Sequence, residues 1–109
     1  MLEQLTTARG VVIISNMKAT PLLHERRVVA EDAFVELVVW QVPSPVPGSA
    51  HDFKYRLAFV VRGVTVLRYD NESGKGDHKH RDGEETPYTF TTPAQLLADF
   101  WNDMDHWRS

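Results

Sequence analysis

The sequence predicts an α+β fold: an antiparallel twisted sheet of four to five strands with a C-terminal helix packed on one face. Two observations predict it. Strand-like runs of β-branched and aromatic residues follow one another between residues 22 and 69, and helical spacing enters only near the C-terminus, with no βαβ alternation. At 109 residues the chain fits a single domain that buries roughly two thirds of its unfolded surface, enough for a core without staples. That domain is assigned to residues 17–109, with 1–16 as an N-terminal extension or edge segment. Within the extension, Leu2 to Ala8 has room for a helical turn or two, Val11 to Ile14 reads as an edge strand, and Met17 as an alternative start.

Leu22 to Val29 and Phe34 to Val42 read as two strands parted by the acidic turn at Glu31 and Asp32. In the second, only Glu36 and Gln41 interrupt an apolar run, which suits a central position. The prolines of Pro43 to Ser49 cannot donate ladder hydrogen bonds and end it. Phe53 to Val61 alternates, with Phe53, Tyr55, Leu57, Phe59 and Val61 on one face and Lys54 and Arg56 together on the other. Arg62-Gly63 turns the chain, so Val64 to Tyr69 returns antiparallel. Strict alternation then puts Val64, Val66, Arg68 and Asp70 on one face, beside Lys54 and Arg56.

Pro87 to Thr91 reads as a further short edge strand. Thr92 precedes Pro93 as an N-cap, and Gln95 has the capping-box spacing. The helix runs from Pro93 to about Asp105, with Leu96, Leu97, Phe100, Trp101 and Met104 as its buried stripe and Ala94, Gln95, Asn102 and Asp103 facing out. Trp101, Met104 and Trp107 reach past that stripe toward an apolar patch suited to a homodimer.

With no cysteine, the chain has no disulfide, thiolate nucleophile or cysteine-based zinc site, and a reducing, cytoplasmic setting fits. The longest apolar run is far below the ~20 residues that span a bilayer, so neither a membrane anchor nor a signal peptide is expected. The net charge of -3 argues against indiscriminate coating of nucleic acid. Its distribution is uneven: residues 54–81 hold seven bases against three acids, and residues 82–109 one base against six acids.

The chemistry-bearing stretch is RYDNESGKGDHKH, Arg68 to His80, which offers little to bury. On an extended segment His78 and His80 project to one side. In an acid/base reading, one imidazole takes a proton from a ribose 2′-hydroxyl and the other protonates the leaving oxygen, because an ordinary pKa of ~6.5 allows both. Lys54, Arg56, Arg68 and Lys79 then stabilise the phosphorane charge, Asp70 orients an imidazole, and Tyr69 stacks on a base or shares the proton transfer. In a metal reading, His78 and His80 with Asp70 or Asp77 form an open first shell. In a third, the stretch is a solvated hairpin loop. Gly74-Lys75-Gly76 lacks the spacing of a nucleotide-binding loop, and Asn71 suits a strand-end turn. Among the other histidines, His24 and His106 read as structural or surface residues, and His51 alone lies near enough in sequence to reach the cluster.

The segments HDFKYRLAFV, RYDNESGKGDHKH, PYTF and QLLADF, in this order and spacing over roughly residues 34–104, resemble the TumE family of type II toxin–antitoxin toxins. The resemblance implies a small bacterial or archaeal toxin, a helix-turn-helix antitoxin as partner, and a ribonuclease-like activity. By position it makes Lys54, Tyr55, Arg56, Tyr69, Asp70, Asn71, His78 and His80 motif residues, and it leaves residues 1–16 outside. The reading adopted is a toxin cleaving RNA without metal or cofactor. It takes His78, His80, Asp70 and Tyr69 as catalytic, and Lys54, Arg56, Arg68, Lys75 and Lys79 as substrate-binding. The alternatives are a non-enzymatic module gripping nucleic acid or protein, and a toxin acting on a protein or transferring a group.

Overall fold

A computed structural model describes residues 18–107. The expectations for Leu2 to Ala8, Val11 to Ile14 and Met17 fall outside them. Six antiparallel strands, β1 (Thr20–Ala30), β2 (Ala33–Gln41), β3 (Phe53–Val61), β4 (Val64–Asp70), β5 (His78–Arg81) and β6 (Glu84–Pro87), lie side by side in sequence order, and α1 (Pro93–His106) follows. The α+β class and the C-terminal helix are as the sequence predicts, but the strand count is six.

The difference lies after β4, where β5 and β6 form a hairpin in place of a strand over 87–91. Its turn is Asp82-Gly83, with φ of 50° and 88°, the pair of positive values that suits the right-handed twist of a two-residue hairpin. Arg62-Gly63, at 49° and 79°, makes the same turn between β3 and β4. Neither β5 nor β6 carries an apolar alternation, because one face is the polar cluster described below and on the other Lys79 and Arg81 reach Asp103 of the helix. Hydrophobic periodicity therefore had nothing to find.

The pairing of β3 with β4 contains a bulge: Phe59 faces Leu67, while Val60 faces Thr65 and Val61 faces Val64. The extra residue corrects strict alternation. Val64 pairs with Val61 on the helix-side face, whereas Arg68 pairs with Ala58 on the other.

One face of the sheet, carrying Val35, Leu37, Tyr55, Leu57, Leu67 and Tyr69, packs with Leu96 and Phe100 of α1 to form the core. The helix starts where Thr92 Oγ1 accepts the Gln95 backbone N–H at 3.1 Å, with Pro93 just inside. Only half of a capping box forms, because the Gln95 side chain donates to Asp99 Oδ1 at 2.8 Å. Asp103 points toward the sheet, contrary to the outward face expected of it: it accepts from Tyr69 Oη and from Lys79 Nζ at 3.1 Å. Trp101, Met104 and Trp107 are partly buried against the core, and Trp107 Nε1 donates to Asp82 Oδ1 at 2.9 Å. Among the described residues no helix is long and apolar enough to cross a membrane.

Candidate active site

The face of the sheet away from the helix is organised by register. Cross-strand pairing puts Val38, Arg56, Asp70, His78 and Pro87 in one row, and Glu36, Ala58, Arg68, His80 and Glu85 in the next. Neighbouring strands stand ~4.8 Å apart, so side chains from four strands meet on this face with no loop needed to carry them. Lys54 lies one step further along β3, opposite Trp40. Lys54, Tyr55, Arg56, Arg68, Asp70 and Glu72 line an open cavity of about 260 Å³.

At the centre, Arg68 bridges two groups. Its Nε lies 3.0 Å from Asp70 Oδ2, and its Nη2 lies 2.8 Å from His80 Nε2. His78 Nε2 is 2.6 Å from Asp70 Oδ1, and the two imidazoles sit edge to face, 5.1 Å between centroids. His78 is 3% exposed, whereas the His80 side chain is 26% exposed, so His80 is the imidazole that a substrate can touch. Partial burial and then the adjacent Arg68 charge hold the His80 pKa below the ordinary histidine value, with Glu85 opposing. The shift favours the neutral imidazole.

Several residues named from the sequence lie elsewhere. Tyr69 and Lys79 pair with each other across β4 and β5 on the helix side. Asp70 and His78 face the cluster, so the alternation of a strand turns their neighbours Tyr69 and Lys79 away from it. Tyr69 is buried with its hydroxyl on Asp103, on the face away from the histidines, and burial followed by that hydrogen bond raises its pKa far above normal. Lys79 is likewise engaged with Asp103. Lys75 lies at the periphery, with Nζ 3.8 Å from Glu85 Oε2.

Glu85, one of the six acids of residues 82–109, approaches His80 Nε2 at 3.6 Å and His78 Nε2 at 3.7 Å. The signal that finds it is the Asp82-Gly83 hairpin turn, which puts Glu85 opposite His80. Glu36, 3.9 Å from Arg56, enters from β2. The excess of bases in residues 54–81 thus disappears in space: Lys54, Arg56, Arg68 and Lys75 share this face with Glu36, Asp70, Glu72 and Glu85.

The segment between β4 and β5 is tied down on the other side. Asp77 accepts from Ser49 Oγ at 2.6 Å and Tyr55 Oη at 2.8 Å, and lies 2.6 Å from His51 Nε2. His51 also stacks on Phe90, 3.8 Å between centroids, and so belongs to this tether and not to the histidine cluster. Asn71 makes no local turn of its own. Its Oδ1 accepts the Tyr55 N–H at 3.0 Å and its Nδ2 donates to Phe53 O at 2.7 Å, prolonging the β3–β4 ladder past its last residue pair.

The chain is thus a small α+β protein with an Asp–His–Arg cluster built across one open sheet face. It belongs to the family described as Toxin TumE, which it matches over residues 8–108. The match takes in residues 8–16, which the quoted segments had left outside, and a toxin family implies an antitoxin partner. Neither the curated proteins nor the solved structures provide a match.

Proposed function

We propose that this toxin inhibits growth in the cytoplasm by cleaving RNA at the Arg68–Asp70–His78–His80 face. The observation that supports it is the bridge Arg68 makes between Asp70 and His80 beside Lys54 and Arg56: a proton acceptor at the edge of an open cavity that the orienting carboxylate and three cations line. When a phosphodiester enters, Arg68 and Arg56 turn to its oxygens and the His80 lone pair is released. The 2′-hydroxyl gives its proton to His80 Nε2 and attacks phosphorus, the bond to the 5′-oxygen breaks, and that oxygen takes a proton from water. His78, buried on Asp70, acts as a positioning residue.

The charge balance favours this over a non-enzymatic grip. Four cations matched by four carboxylates leave little net field to hold a polyanion, whereas catalysis needs cations only where the phosphate sits. The partner in this reading is a helix-turn-helix antitoxin that covers the same face.

The test is expression in a bacterial host with and without the neighbouring gene, followed by mapping of RNA ends. New ends should form only without the antitoxin, and His80→Ala should abolish both ends and growth inhibition while circular dichroism shows an intact fold. Undiminished toxicity in His80→Ala removes the proposed proton acceptor.

A further inference from the structure

His78 and His80 each bring a ring nitrogen to within 4.8 Å of a carboxylate oxygen of Asp70. His78 Nδ1 lies 2.9 Å from the Gly76 carbonyl oxygen, which can only accept, so Nδ1 carries a proton and Nε2 is the nitrogen left for a metal. His80 Nε2 lies 2.8 Å from Arg68 Nη2, which can only donate, so there Nε2 is the unprotonated nitrogen. His78 Nε2 lies 2.6 Å from Asp70 Oδ1, a contact that a proton or a metal ion shared by the two atoms accounts for. Neither has a hydrogen-bond partner of acceptable geometry, although His78 is 3% and Asp70 8% exposed. Arg68 Nε is in the same state, and buried polar atoms without partners are where an ion can be held.

We infer that Asp70, His78 and His80 form a binding site for one divalent transition-metal ion of the zinc type. Each residue brings one donor atom to within 4.8 Å of the others. A zinc ion at ~2.0–2.1 Å from each donor sets tetrahedral neighbours roughly 3.3 Å apart, so Asp70 and His78 need part by only ~0.7 Å. Two imidazole nitrogens and a carboxylate suit zinc, cobalt or nickel better than magnesium or calcium. The Gly76 carbonyl on His78 Nδ1 supplies the outer hydrogen bond that metal-bound histidines commonly make. Glu85, within 3.7 Å of both imidazoles, adds negative charge, and Arg68 is the cation that stands in the metal's place and must swing aside. The tethered carboxylate of Asp77 makes a useful contrast: its oxygens are already satisfied by Ser49, His51 and Tyr55.

The inference concerns binding and does not depend on the ribonuclease reading, but it constrains it. An imidazole whose lone pair is on a metal cannot accept a proton, so metal loading closes the acid–base route through His80. The experiment is titration of the chelator-treated full chain with Zn2+ alone, followed by calorimetry and by the side-chain nitrogen resonances of the histidines. One equivalent should bind, the His78 and His80 Nε2 resonances should move, and those of His24, His51 and His106 should stay. His80→Ala, at the more open of the two ligands, should weaken binding by ~100-fold or more, since even outer-shell changes cost 10–100-fold. Resonances of His78 and His80 that do not respond to millimolar Zn2+ overturn the site, as does a His80→Ala affinity equal to that of the parent. The wild-type resonances decide the matter even if the variant fails to fold. Metal-free protein that cleaves RNA but binds no zinc sinks this inference and leaves the ribonuclease reading standing, and a chain that binds zinc but cleaves no RNA even when metal-free does the reverse.

Discussion

The backbones of Gly48 and Gly76 pass so close that a β-carbon on Gly48 would lie 2.8 Å from the Gly76 nitrogen. Gly76 is also the residue whose carbonyl accepts from His78 Nδ1, so this contact reaches the histidine cluster from a loop that contributes no side chain to it. Gly48 has φ of +97°, which an L side chain rarely adopts. Gly48→Ala should therefore cost about 1–3 kcal/mol in urea unfolding. It should also lower toxicity beyond what that stability loss predicts, because the Gly76 carbonyl shifts with the loop. A variant as stable and as toxic as the parent would show that the contact does not hold His78.

Asn71 yields a cleaner stability test, since it is 1% exposed and replaces two ladder hydrogen bonds. Asn71→Ala strands the Tyr55 N–H and the Phe53 carbonyl in the interior, at about 1–3 kcal/mol for an unsatisfied group. Asn71→Asp should be at least as damaging, because a carboxylate keeps the acceptor but sets a negative oxygen against the Phe53 carbonyl. Denaturant midpoints falling in the order parent, Ala, Asp would bear this out, and a neutral Asp variant would contradict it.

Asp103 makes the fold sensitive to acid. Burial tends to raise its pKa, but hydrogen bonds from Tyr69 and Lys79 and the charges of Lys79 and Arg81 outweigh it, and the value lies below the ordinary 3.8. A carboxyl depressed on folding contributes stability that is present above its unfolded pKa and is lost as pH falls through the folded one. The melting temperature should drop as pH falls below about 4, and Asp103→Asn should flatten that part of the profile while lowering the plateau near neutrality. An unchanged profile in the variant would place the acid sensitivity elsewhere.

What the sequence made legible follows from what each element buries. β2, β3, β4 and α1 pack a face into one core, so their periodicity shows. β5 and β6 bury almost nothing apolar, and only the Asp82-Gly83 turn betrays them. In the cluster, Arg56, Arg68, Asp70, His78 and His80 share a face because they occupy alternate positions of paired strands, a relation readable from numbering once the hairpins are known. The same alternation turns Tyr69 and Lys79 to the helix side. Glu36 and Glu85 could not be placed without the pairing of β2 with β3 and of β5 with β6. The charge asymmetry along the chain misled for that reason: strands far apart in sequence interleave their charges in space.

The antitoxin's footprint can be argued from which charges are available to it. A basic partner docking on the helix would need Asp99 and Asp103, but Asp99 accepts from Tyr88 and Gln95, and Asp103 from Tyr69 and Lys79. Reversing either should unfold the helix contact before it tests docking, so weakened binding there would be accompanied by a lower melting temperature. Lys54 and Arg56 are exposed on the opposite face, and Arg56 has only a long 3.9 Å contact with Glu36. An antitoxin that inhibits by covering the cluster should meet them with its own acids, and association should slow with added salt because exposed charges are screened over ~8–10 Å at physiological ionic strength. Lys54→Glu with Arg56→Glu should then weaken the complex and blunt its salt dependence without lowering the melting temperature. A double variant with unchanged affinity and salt response would place the antitoxin on another surface.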